Sequence, residues 1–109
     1  MILIVGIDSY PFRLEELQDK DCLRVTTFAA ARAVIAALVK SDEVELDYIR
    51  IGALRGEAWE TNPFDFIDWL VELQQATGRK FRVRNVWPEA SERWDLDKYI
   101  REKGLMLIF

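Results

Sequence analysis

Apolar positions along the chain fall into short continuous runs separated by helical periodicity. Ile2 to Ile7 is an unbroken apolar run, the pattern of a strand buried on both faces. A short helix is expected from about Phe12 to Lys20, with Phe12, Leu14 and Leu17 on its apolar side. Leu23 to Thr26 reads as a second strand. Thr27 is placed to cap a helix over Phe28 to Lys40, whose six alanines permit close approach to a sheet. In that helix Phe28, Ile35, Leu38 and Val39 supply the contact. Val44 to Ile51 forms a third strand ending at Gly52, and a loop runs from there to Asn62.

Asn62 followed by Pro63, with Asp65 three residues after the cap, marks the clearest helix start in the chain. This helix extends to about Ala76 and stops at Gly78. Phe81 to Val86 predicts a fourth strand, Pro88 interrupts it, and a helix covers roughly Glu92 to Lys103. Gly104 ends that helix, and Leu105 to Phe109 is an apolar final strand. Strands alternating with crossover-length helices predict an α/β fold in three layers. Its sheet is mostly parallel and five-stranded, with helices on both faces. Chemistry in such a fold gathers at the carboxyl ends of the strands. Those ends are Gly6-Ile7-Asp8, Thr26-Thr27, Gly52-Ala53 and Val86-Trp87-Pro88.

Composition narrows what that edge can do. The 109 residues are expected to form a single domain, 50% hydrophobic and 31% charged, without the bias of a disordered chain. Histidine is absent, which excludes Ser-His and Cys-His catalytic pairs and histidine-ligated metal sites. One cysteine, Cys22, permits neither an intrachain disulfide nor a cysteine zinc cluster, and it is expected to pack as a small hydrophobe. A net charge of -4 disfavours a general nucleic-acid binder. The apolar stretches at Ile2–Ile7 and Phe28–Val39 are too short to cross a membrane, the second being broken by Arg32. A cytoplasmic protein without cofactor or metal is the expectation.

The remaining polar and aromatic clusters each carry an ordinary structural alternative. Asp65 and Asp68 stand at a helix amino terminus, where capping and the helix dipole account for them. Glu57 and Glu60 lie in a loop with no partner base in view. Arg82 and Arg84 alternate with Phe81 and Val83, which conflicts with a central strand buried on both sides. The strand therefore lies at an edge, or its arginines pair with helix carboxylates, or they form an anion- or partner-binding surface. Trp59 and Trp87 fall in loops at the presumed carboxyl edge, where tryptophan serves equally as core or as an interface anchor. The apolar arc of the Asn62–Ala76 helix is wider than one sheet contact requires. Phe66, Trp69 and Leu73 on its flank await a neighbouring helix or a partner chain. The final strand could pair with a second copy at an edge.

Three segments of this pattern resemble a response-regulator receiver domain, especially the short receiver-like domains of phage and bacterial proteins. They are Ile2-Leu3-Ile4-Val5 with its polar turn and Pro11, Val25-Thr26-Thr27-Phe28-Ala29-Ala30-Ala31, and Glu43 to Ile51 leading through the third strand. The resemblance covers most of the chain up to Pro88 and is largely hydrophobic patterning. It implies a CheY-like fold and a phosphotransfer site. That site has two acidic residues after the first strand for Mg²⁺, an aspartate ending the third strand, and a lysine before a proline after the fourth. The matching positions read Gly6-Ile7-Asp8, Gly52-Ala53 and Trp87-Pro88. The acceptor and the lysine are missing, so a single carboxylate remains and phosphotransfer is not expected.

The expected function is that of a non-catalytic pseudo-receiver, a phage or bacterial regulator or host-interaction protein that binds another protein. Trp59, Phe66, Trp69, Leu73, Arg82, Arg84 and Trp87 are the expected contact residues. A ligand binder or enzyme using Asp8 and Glu57 is the alternative, and a homodimeric subunit is a third.

Overall fold

The computed structural model describes residues 1–6, 16, 21–41, 45–52 and 62–108. Five strands form one sheet: β1 (Ile2–Val5), β2 (Cys22–Val25), β3 (Tyr48–Ile51), β4 (Arg82–Asn85) and β5 (Met106–Ile108). Three helices stand among the described residues: α1 (Phe28–Lys40), α2 (Pro63–Thr77) and α3 (Ala90–Glu102). The strand order is β2-β1-β3-β4-β5, and every pairing is parallel. This is the flavodoxin-like order of an open α/β sheet, in the three-layer class expected from the alternation.

Local signals set most of the boundaries. Thr27 caps α1 by accepting from the backbone N–H of Ala30. Asn62 caps α2 by accepting from Phe64, Pro63 occupies the first turn, and Gly78 ends the helix at φ 73° in the left-handed region. Most strand ends lie a residue or so from the sequence pattern, and two element starts depart from it for an identifiable reason. β3 begins at Tyr48 rather than Val44, because its neighbour β1 supplies only four residues to pair with. Just before β3, the Asp47 N–H still donates to Met1 O at 2.8 Å, and the Met1 ammonium donates to Glu45 O and to the Asp47 carboxylate. α3 begins at Ala90 rather than Glu92, because the Glu89 carboxylate just after Pro88 accepts from the N–H groups of Ser91 and Glu92. The expected helix over Phe12–Lys20 lies outside the described residues apart from Glu16, which has helical backbone.

The two sheet faces differ in chemistry. Leu3, Val5, Ile49, Ile51 and Val83 face the main core, where they meet Phe28, Ala31 and Ile35 of α1, Phe66, Ile67 and Leu70 of α2, and Leu96 and Ile100 of α3. α2 is flanked on both sides: Phe66 stacks on Phe28 of α1 at 4.6 Å, and Phe64 meets Tyr99 of α3 edge-on at 5.2 Å. The wide apolar arc of α2 is therefore largely the consequence of sitting between two helices. The opposite face carries a smaller cluster, Ile2, Ile4 and Tyr48 with Cys22 and Ile108 packed against it. Among the described residues, no helix is long and apolar enough to cross a membrane.

Candidate functional site

Register places a row of side chains across the second face. Arg24, Ile4, Arg50, Arg84 and Ile108 are lateral neighbours on five successive strands. In a parallel sheet, paired residues point to the same side, so three guanidinium groups share this row. Glu16 meets them from above. Its Oε1 lies 2.6 Å from Arg84 Nη1 and 3.2 Å from Arg50 Nε, while Tyr48 Oη donates to Oε2 at 2.8 Å. Arg24 Nη2 donates to the Glu16 carbonyl at 2.8 Å. Glu16 and Arg50 are both 0% exposed. Burial pushes the Arg50 guanidinium below its usual value, the Glu16 carboxylate opposes that shift, and Arg84 adds to it.

β4 is thus an interior strand, and the conflict raised by its alternating arginines is resolved by pairing. Arg84 is held by the Glu16 carboxylate. Arg82, two residues earlier on the same face, is exposed. Neither Glu16 nor Tyr48 nor Arg50 stood out in the sequence pattern. A signal was present at Arg50, a charge between Ile49 and Ile51 in a strand expected to be central, since a charge buried there requires a partner. Which carboxylate would answer it depends on a tertiary contact 34 positions away in the chain.

The carboxyl edge is chemically sparse among the described residues. Val5 is followed by Gly6, whose N–H donates to Val25 O, and Ile51 by Gly52, whose N–H donates to Val5 O. After β4, Asn85 Oδ1 accepts from the Trp87 N–H, and Asn85 Nδ2 donates to Asp97 Oδ1 and Arg93 O. Trp87 Nε1 donates to Glu92 at 2.7 Å, and the Trp87 ring is half-buried against the core. Hydrogen bonds from the N–H of Glu92, and from the hydroxyl and N–H of Ser91, hold the Glu89 carboxyl below its ordinary range. No group of three or more acidic or cysteine side chains suited to a metal ion occurs among the described residues.

The expected contact residues do not form one surface. Phe66 is fully buried between Phe28 and Trp69 and has no exposed area to offer a partner. Trp69 and Leu73 are half-buried on the helical side, whereas Arg82 and Arg84 project from the opposite sheet face. Trp87 stands at the carboxyl end of β4, a third location. Trp59, Asp8, Glu57 and Glu60 lie outside the described residues. Asp68 accepts a hydrogen bond from Tyr99 Oη, which gives it a role between α2 and α3. Trp94 on α3, 68% exposed, is a large aromatic surface that the pattern did not single out. Compared with known protein families, curated proteins and solved structures, the chain matches none.

Proposed function

We propose that this chain is a receiver-like module without phosphotransfer chemistry, which acts by binding a protein as a regulator or host-interaction factor of phage or bacterial type. The observation that carries the reading is the residue composition at the strand ends of a parallel 2-1-3-4-5 sheet. Where a receiver would present its phosphoacceptor, β3 runs into Gly52; where it would present lysine, β4 runs into Trp87-Pro88. Glycine offers no nucleophile, and tryptophan cannot neutralise charge developing on a phosphoryl group. The polar chemistry of the described residues is concentrated elsewhere, in the Glu16–Arg50–Arg84 cluster on a sheet face. In that cluster Glu16 and Arg50 are fully buried and Arg84 pairs with the Glu16 carboxylate, as suits a structural role.

Incubation with acetyl phosphate or beryllium fluoride and Mg²⁺ tests the first half. Intact mass should show no phosphoryl adduct, and Trp87 fluorescence should stay constant. A magnesium-dependent adduct would overturn the reading. Affinity capture from the native host tests the second half, with Trp69→Ala and Arg82→Glu compared separately because they alter opposite sides of the sheet. One of them should lose the partner while retaining the wild-type circular dichroism spectrum. Capture unaffected by either substitution would count against both surfaces.

A further inference from the structure

The amino ends of β4 and β5 form a pocket of about 430 Å³, remote from the carboxyl edge. Gln74 of α2 fixes its geometry: Oε1 accepts from the Phe81 N–H at 2.9 Å, and Nε2 donates to Gly104 O at 3.5 Å. One helix side chain thereby ties the starts of two strands together. Phe81 and Leu105 line it from the core side and are nearly buried, while Met106, 49% exposed, borders it from the opposite sheet face, the face that carries Arg82. Lys80 and Arg82 complete the lining as exposed cations, and Arg82 is the lateral neighbour of Met106 on the sheet. Among the described residues, no acidic side chain lines this pocket, and neither Lys80 nor Arg82 has an ion-pair partner.

The chain as a whole carries -4, so a cationic pocket with apolar walls is a local reversal of its charge. Such a reversal selects for acidic ligands and steers their approach. The apolar wall adds a requirement that a bare phosphate does not meet: the ligand must bring a hydrophobic group. Volume and chemistry suit one aliphatic or aromatic side chain flanked by carboxylates, and methionine adapts readily to different shapes. β5 is also the last strand of the sheet among the described residues, so its outer backbone edge runs away from the pocket mouth. An extended peptide can use such an edge for main-chain hydrogen bonds.

We propose that this pocket docks an acidic segment of a protein partner, with an apolar side chain entering beside Met106 and flanking carboxylates meeting Lys80 and Arg82. The proposal rests on the protein-binding reading above and names its surface and the chemistry of its partner. The probe is a fluorescein-labelled hexapeptide of aspartate and glutamate around a central leucine, followed by fluorescence anisotropy. Saturable binding is expected, weakened at least about fivefold by Lys80→Glu or by Arg82→Glu and weakened again by high salt. Met106→Ala and replacement of the leucine by alanine should each weaken it several-fold. Lys40→Glu, the same charge change at the end of α1, should leave binding as in the wild type.

Absence of saturable binding, or equal losses from Lys40→Glu and Arg82→Glu, would overturn the proposal. So would a single-stranded DNA oligonucleotide or an anionic phospholipid vesicle binding through Lys80 and Arg82 where the peptide does not. If the peptide fails while a partner is still captured and lost on Trp69→Ala, this proposal falls and the protein-binding reading stands. If neither peptide nor partner binds, both fall.

Discussion

Glu16→Gln is the most informative single perturbation of the fold. It conserves volume and keeps an acceptor oxygen, but it removes the negative charge that faces two guanidinium groups. Arg50 Nε and Arg84 Nη1 approach the same oxygen, Oε1, at 3.2 and 2.6 Å, and Glu16 and Arg50 have no exposed surface. Water cannot take over from the carboxylate at such a site without structural change. Breaking a buried pair by removing one partner typically costs about 3–5 kcal/mol. A chain of this length has a total stability of roughly 5–16 kcal/mol. The substitution should therefore consume a large share of it and lower the melting temperature by the order of 10–30 °C. Urea titration gives the magnitude directly through a lower midpoint at unchanged slope. A second variant separates loss of the pair from loss of packing. Adding Arg50→Met and Arg84→Met to Glu16→Gln removes the stranded charges and should recover much of the deficit, because apolar replacement of a whole buried ion cluster is often neutral. A cost under about 1 kcal/mol for Glu16→Gln would refute the reasoning, since it would place the cluster in the range of solvated surface pairs.

Three further outcomes test separate parts of the structure. Glu89 caps α3 with a carboxyl held below its ordinary range, so its contribution is complete above the unfolded value and is lost as pH falls through the folded one. Glu89→Gln should flatten that acid limb in the helical circular dichroism signal. Tyr99 donates to Asp68, which raises the phenol above its usual 10.0; this contact is complete below the unfolded value and is lost as pH rises through the folded one. Asp68→Asn should bring the tyrosinate absorbance transition to lower pH and make stability less sensitive to alkali. Gly78→Ala meets nothing within 4 Å, yet φ is +73°, so a loss of about 1 kcal/mol in denaturant titration is expected from conformation alone.

The fold was legible wherever a local rule decides the outcome. Thr27, Asn62-Pro63 and Gly78 are boundary residues whose own side chain or backbone performs the boundary function, and α1 and α2 begin where these caps require. Alternating elements with apolar strands were enough for a parallel sheet. Strand extents were less legible, because a strand ends where its neighbour does: Glu45 to Asp47 continue an alternating pattern, but the β1 register begins only at Ile2↔Tyr48. The burial of Phe66 was open for a similar reason, since only the approach of α1 decides that Phe28 covers it. Trp69 and Leu73 share its helix face in the sequence and differ from it in exposure by their position relative to that neighbour.

Arg82 and Arg84 show where periodicity stops carrying information. Both lie on one face of one interior strand, two residues apart, in a stretch that predicts equivalent environments for them. Their fates are set by what stands over each row. Arg84 shares its row with Arg50 and lies beneath Glu16, so a carboxylate 68 positions away holds it in place. Arg82 is next to Met106 at the start of the sheet and remains exposed beside a pocket. The two residues therefore separate structural charge from charge available to a ligand along about 7 Å of a single strand. Charge reversal at Arg82 should alter recognition and spare stability, while the same change at Arg84 would set a second carboxylate against buried Glu16 and unfold the domain. Stability titrations of the two variants in parallel would check this division, and similar losses at both positions would remove it.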